Sequence, residues 1–217
     1  MFRKFLNPDN DLMILLSQIT DVLFLSIFWL FTCIPVVTAG PGTAALYDAV
    51  YRGFRLGEKE SWHRFFHAFR TNFKTGCLVM LPILLGGWLI LRGMAGLFLS
   101  AAGGTGSWIL FFAAGFMCLL LVGVVAVLFP LLSRFETGVG RLLGNALRLS
   151  MAHLPRTVAL AVIHGLTIFA CLRYVLPVLF LPAICMLVSS FLVEPMFRPY
   201  LPAEEEAESG EITREKI

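Results

Sequence analysis

Charged residues are scarce in this chain. Only 14% of its residues are Asp, Glu, Lys or Arg, whereas 58% are hydrophobic. Soluble domains carry about 25% charged residues, so a water-soluble protein of this composition could not cover its surface with polar groups. The mean hydropathy of +0.83 indicates that lipid is the solvent instead. The length of 217 residues suits one compact unit and not several domains.

The chain also lacks the motifs of catalytic and metal sites. It contains no GxSxG sequence and no CxxC pair. His63 and His67 stand four residues apart, but no third ligand accompanies them. The cysteines all fall inside apolar runs, where they are typical of small buried hydrophobes: Cys33, Cys77, Cys118, Cys171 and Cys185. We therefore expect no enzymatic activity, no metal and no cofactor.

Long apolar runs are what the sequence does contain. A helix needs about 20 residues to cross the hydrocarbon of a bilayer. The final apolar stretch is too long for one crossing and is interrupted by Arg173, Pro177 and Pro182. The pattern predicts an all-α, polytopic transmembrane helix bundle over residues 1–200, followed by an acidic, disordered cytoplasmic tail over 201–217. About five spans are expected, at residues 12–37, 76–99, 108–132, 156–172 and 176–196.

The distribution of Lys and Arg predicts the orientation of these spans. With five crossings, thirteen Lys/Arg fall on one side and four on the other. Since the cytoplasmic side carries the positive excess, we expect the N-terminus outside and the C-terminus in the cytoplasm. A four-span arrangement would move the tail outside and weaken this bias. The basic residues adjoin apolar runs, which favours lipid headgroups over nucleic acid as their contacts.

Two connections predicted to be cytoplasmic have the pattern of amphipathic helices. In the first, aromatic residues recur at helical spacing, and Arg70 and Lys74 fall on other faces. These aromatic residues are Trp62, Phe65, Phe66, Phe69 and Phe73. The second lies within residues 142–154. We expect both helices to lie along the inner headgroup layer or dock against the bundle, with the first forming a surface for a partner or for headgroups.

Four polar residues within or beside the predicted spans are candidates for a site. Asp21 is a carboxylate inside the first span, where an unpaired charge is costly. We hypothesise that it pairs with Arg92 or Arg173; the alternative is that it lies in water at the interface. His164 lies in the middle of a span, where an interhelical hydrogen bond is a commoner role than a proton relay.

A second set of charges lies at the cytoplasmic ends of the spans. Arg134 and Glu136 lie just past the third span, and Glu194 and Arg198 lie at the end of the last span, on the same side. We expect ion pairs between these two groups that fix the geometry of the bundle.

Several sequence blocks resemble the YesL-like family of bacterial integral membrane proteins. They are FWLFTCIPVVTAGPGTAALY at 28–47, FFHAFRTNFK at 65–74 and FPLLSRFE at 129–136, followed by 145–147 and 154–157. The molecular function of this family is unknown. Its members are often encoded beside carbohydrate-uptake and carbohydrate-utilisation systems, which implies an accessory role. The resemblance brings no catalytic residues.

Two functions are expected from this reading. The first is an accessory or regulatory component of the bacterial cell membrane, associated with carbohydrate uptake or utilisation. It would act through its cytoplasmic amphipathic helices on a sugar-transport permease or on another copy of itself. The second is transport of a small solute or lipid by the chain itself, as an oligomer, along a path lined by Asp21, Arg173 and His164. A water-filled cavity reaching the middle of the membrane would favour transport, whereas a tightly packed dry bundle would favour the first function.

Overall fold

The computed structural model describes residues 11–58, 60–100, 105–135, 138–174 and 176–200. Within these ranges the chain forms seven α-helices and no strand. The helices are α1 Asp11–Cys33, α2 Ala39–Val50, α3 Ser61–Ser100, α4 Thr105–Arg134, α5 Val139–Ala152, α6 Leu154–Arg173 and α7 Leu181–Phe197. The predicted all-helical class is confirmed. The tail at 201–217 lies outside the described residues.

Among the described residues, four helices are long and apolar enough to cross a membrane. Their candidate spans are Leu16–Cys33, Ser61–Phe98, Trp108–Arg134 and Leu154–Arg173. Helix α7 is apolar but has only 17 residues, a length of about 25 Å at 1.5 Å per residue. It is therefore shorter than the roughly 30 Å of hydrocarbon that a span must cross.

The amphipathic segment predicted before the second span is continuous with that span. Residues 61–100 form one continuous helix of 40 residues, α3. The helix continues through Gly76, which packs closely against the start of α2. A Cβ atom on Gly76 would lie 2.8 Å from Cδ of Pro41, and one on Gly40 would lie 2.7 Å from the carbonyl oxygen of Gly76.

The first span is shorter than predicted and leads into a buried helix. Helix α1 ends at Cys33 because Pro35 has no N–H and disfavours helical geometry in the preceding residue. A 3₁₀ turn at Val36–Thr38 then leads into α2, with Pro41 in its first turn. Nearly every residue of α2 is buried, and a π-helical turn at Tyr51–Leu56 continues it.

The longer helices pack in a closed circuit around α2. Helix α3 packs against α4, α4 against α6, and α6 against α7, while α1 packs against both α3 and α7. Helix α2 contacts α1, α3, α4 and α7. It therefore supplies much of the protein core, including Leu46, Tyr47 and Val50.

Helix α5 lies against the bundle with only part of its apolar face. Leu142, Ala146 and Leu149 are buried against the core, whereas Leu147 and Met151 are exposed. The exposed apolar edge gives this helix a surface that suits the interfacial region of a bilayer.

Candidate functional site

A buried ion pair joins α4 to α7 and is completed by α2. Arg134 ends α4, and its Nη2 atom lies 3.0 Å from Oε1 of Glu194 in α7. Only 8% of the Arg134 side chain and 10% of the Glu194 side chain are exposed. The hydroxyl of Tyr47, at the centre of α2, donates to the same Oε1 atom at 2.8 Å. One carboxylate oxygen therefore connects three helices.

Aromatic rings surround the positive charges of this cluster. The guanidinium carbon of Arg134 lies 4.1 Å from the centroid of the Tyr51 ring. Arg55 lies 4.6 Å from the Phe191 ring centroid and donates to the carbonyl oxygen of Ser190 at 3.3 Å. Such cation–π contacts are strongest where water is excluded.

Tyr47 is held as a hydrogen-bond donor by its surroundings. Its burial, together with the nearby Glu194 carboxylate, raises the pKa of Tyr47 well above the ordinary value for tyrosine. The phenol therefore keeps its proton at physiological pH, and the contact with Glu194 stays a hydrogen bond to a charged acceptor.

A chain of more exposed ion pairs leads from this cluster to the first turn of α3. Arg52 Nε lies 3.0 Å from Asp48 Oδ1, and Arg52 Nη1 lies 3.4 Å from Glu58 Oε1. Arg64 Nη2 lies 2.7 Å from the other oxygen of Glu58. Since the Arg64 side chain is 45% exposed, these outer contacts orient the connection more than they stabilise it.

A cavity of about 990 Å³ lies between helices of this circuit. Its walls come mainly from α3, α4 and α6, and α7 contributes Pro182, Cys185 and Met186. Trp29 of α1 and Thr43 of α2 line it as well. Most of its wall belongs to candidate membrane spans, so in a bilayer the cavity would lie within the hydrocarbon.

Three polar side chains that line this cavity have hydrogen-bond partners within the protein. Trp29 Nε1 donates to Thr43 Oγ1 at 3.1 Å, and Thr43 Oγ1 donates to Ala39 O at 2.7 Å. Thr167 Oγ1 donates to Ile163 O at 2.9 Å. The lining therefore offers water few groups to bind, since an internal water needs two to four polar partners.

The cavity is open on one side, because several residues that line it are themselves exposed, including Trp88 at 56% and Leu172 at 84%. With lipid as the solvent, this opening faces hydrocarbon and not water. The apolar lining therefore suits an apolar occupant.

His164 also lines the cavity, and its two ring nitrogens have different roles in hydrogen bonding. Its Nδ1 lies 2.9 Å from Leu160 O. A carbonyl oxygen only accepts, so we assign the proton to Nδ1, and Nε2 of the neutral ring is then an acceptor. Among the four intramembrane candidates, His164 is the one that lines the cavity.

The proposed pairing of Asp21 is not formed in the described part of the chain, where no ion pair joins it to Arg92 or Arg173. The Arg92 guanidinium lies 5.4 Å from the Trp88 ring centroid, and that of Arg173 lies 5.5 Å from that of Tyr174. Each arginine thus has an aromatic neighbour within its own segment. Asp21 is half-buried on α1.

The expected cytoplasmic ion pairs are brought together in part. Arg134 and Glu194 are in contact, as described above. Glu136 lies outside the described residues, and so does the side chain of Arg198, whose backbone belongs to the 3₁₀ turn Arg198–Tyr200.

The aromatic residues at the start of α3 divide between the core and the surface. Phe65 is fully buried, and Phe69 packs against the core. Trp62, Phe66 and Phe73 are 50%, 40% and 41% exposed. Arg70 and Lys74 are also exposed. We call Trp62, Phe66, Arg70, Phe73 and Lys74 the α3 surface.

The sequence analysis missed Tyr47, Tyr51 and Arg55. A signal for them exists, since a tyrosine and an aspartate interrupt the apolar run Ala44–Val50. It becomes meaningful only when α2 is known to be buried. In the described residues, no group of three or more His, Cys, Asp or Glu could hold a metal ion.

The fold and these contacts describe a helical protein whose apolar helices fit a membrane protein. Residues 22–93, which run from α1 into the second half of α3, match the family described as "Protein of unknown function, DUF624". This match supports an uncharacterised family. No curated protein and no solved structure matches the chain.

Proposed function

We propose that the chain is an accessory or regulatory protein of the bacterial cell membrane that binds a partner through the α3 surface. The observation that carries this proposal is the exposure of Trp62, Phe66 and Phe73 beside residues that are buried. Exposed aromatic residues next to basic ones are typical of interaction surfaces. No catalytic role is proposed for any residue.

The length of α3 supports this role. Its 40 residues extend over about 60 Å at 1.5 Å per residue, about twice the thickness of the hydrocarbon. The strongly apolar part begins near Gly76, and the turns before it carry the α3 surface. Phe66 packs on Phe28 near the end of α1, with 5.0 Å between the ring centroids. We infer that the α3 surface lies at the edge of the hydrocarbon, where a partner or the headgroup layer can reach it.

The partner and the setting come from the YesL-like resemblance. It implies a role in carbohydrate uptake or utilisation, with a sugar-transport permease or a second copy of the chain as the partner. The Lys/Arg distribution supports five crossings, with the N-terminus outside and the α3 surface in the cytoplasm.

Co-purification tests this function. The chain would be purified in mild detergent from its own bacterium, and permease subunits would be identified by mass spectrometry. We expect the double variant Trp62→Ser, Phe73→Ser to lose the permease, because the apolar contacts of the interface are removed. Tyr174→Ser is the matched control, since Tyr174 is as exposed but lies at the far end of α6. Equal recovery of the permease with the natural chain, the double variant and Tyr174→Ser would contradict the proposal.

The alternative function is transport of a small solute or a lipid, and the apolar cavity supports transport of a lipid. A path for a polar solute would need polar walls, and of Asp21, Arg173 and His164 only His164 lines the cavity. A reconstituted flip assay with a fluorescent lipid would test this alternative. Lipid movement no faster than in protein-free vesicles would contradict it.

A further inference from the structure

We propose that the cavity binds a membrane lipid with a long apolar chain and a free hydroxyl group, which donates a hydrogen bond to Nε2 of His164. This site does not depend on the docking function, because Trp62 and Phe73 do not line the cavity.

The apolar part of the ligand follows from the walls. Leu84, Leu121 and Val125 are representative of a lining that is almost wholly hydrocarbon. Thr43 and Thr167 are committed to backbone carbonyls. Water would gain little there, whereas an acyl or prenyl chain would replace lipid contacts with protein contacts.

The size and position of the cavity agree with such a ligand. Its volume of about 990 Å³ lies at the upper end of the range of ligand sites, about 300–1,000 Å³. Helices α3 and α6 both pack on α4 but make almost no direct contact with each other. The resulting cleft over α4 would let a lipid enter sideways from the bilayer.

The hydroxyl group follows from the tautomer of His164. Since Nδ1 donates to Leu160 O at 2.9 Å, a neutral ring presents Nε2 as an acceptor. A hydroxyl group can donate to it. An alkane chain without a donor would leave this acceptor unpaired, and a phosphate oxyanion has no proton to donate.

The first test uses hexadecanol, in a photoactivatable diazirine form, with the full chain in mild detergent. Gly87 lines the cavity, and a Cβ atom there would meet nothing within 4 Å. We expect Gly87→Phe to fill part of the cavity and abolish labelling of residues around Cys118 and Cys171. Gly86→Phe is the control, because its Cβ atom is equally unobstructed but Gly86 does not line the cavity. Equal labelling in the two variants would overturn the site.

The second test separates the hydroxyl contact from the apolar contact. Competition by hexadecanol and by hexadecane would be measured for the natural chain and for His164→Phe, which keeps an aromatic ring. We expect affinity for the alcohol to fall by about threefold to tenfold, the range for one hydrogen bond, and affinity for the alkane to stay the same. Unchanged affinity for the alcohol, or an equal fall for both, would overturn the role of His164.

Discussion

The carboxylate of Glu194 accepts hydrogen bonds from Arg134 at 3.0 Å and from Tyr47 at 2.8 Å through the same oxygen atom. The three residues belong to α7, α4 and α2, which are far apart in the sequence. Ion pairs on an exposed surface contribute little, but this one is almost fully buried. Removing either residue would therefore leave the other charge buried without a partner, at a large cost in the free energy of folding.

Replacing one member of this pair should therefore destabilise the bundle strongly. We expect Arg134→Met to lower the free energy of unfolding by about 3–5 kcal/mol, because Glu194 is left charged and buried. The triple variant Arg134→Met, Glu194→Leu, Tyr47→Phe should recover most of this loss, because it leaves no buried charge and no buried hydroxyl group without a partner. Thermal unfolding in detergent, followed by Trp fluorescence, would measure both effects.

The outer pair of Arg64 and Glu58 provides the matched control. Arg64→Met removes a contact of 2.7 Å between side chains that are far more exposed, and it should cost about 0–1 kcal/mol. If Arg134→Met and Arg64→Met were equally mild, the pair in the core would have no special role.

Tyr47→Phe isolates the third contact of the cluster. The change removes one hydroxyl group from a fully buried side chain. We expect a loss of about 1.5–3 kcal/mol, the range for a hydrogen bond to a charged group. Tyr174→Phe, at an exposed position, should stay within about 0.5 kcal/mol. A neutral Tyr47→Phe would mean that Arg134 alone satisfies Glu194.

Much of the helical framework was predictable from apolar periodicity and length. The run at 108–132 corresponds closely to α4, and the run at 156–172 to α6. Contact between Arg134 and Glu194 could be anticipated because both charges lie at the ends of apolar runs that were expected on the same side. The length of a run, however, does not show where a helix continues into a polar segment, and α3 therefore begins well before its apolar part.

The buried helix α2 and the cavity were not predictable in the same way. Gly40, Pro41 and Gly42 indicate the start of an element, but their importance lies in contacts with α1 and α3. A Cβ atom on Gly42 would collide with the Thr32 side chain. Such contacts depend on tertiary packing, and a cavity between four or more helices leaves no periodic pattern in any one of them.

The close approach of α2 and α3 gives a prediction about Gly76. Gly76→Ala would place a methyl group 2.8 Å from Cδ of Pro41, so the two helices must separate. We expect a loss of about 1–3 kcal/mol in the free energy of unfolding. Gly86→Ala is the control within the same helix, because its methyl group meets nothing within 4 Å, and it should stabilise α3 by up to about 1 kcal/mol. Similar effects at both glycines would contradict the close packing.

The number of crossings and their direction can be decided with three single cysteines, placed in a chain whose native cysteines are replaced by alanine. Asn145 in α5, Tyr174 after α6 and Tyr200 after α7 are all exposed. If α6 and α7 both cross, the residue between them must lie on the opposite side from the other two. Given the Lys/Arg excess around α5, we expect a membrane-impermeant maleimide to label Tyr174→Cys in intact cells. Asn145→Cys and Tyr200→Cys should react only after permeabilisation. Labelling of Tyr200→Cys in intact cells would mean that α7, with its 17 residues, does not cross.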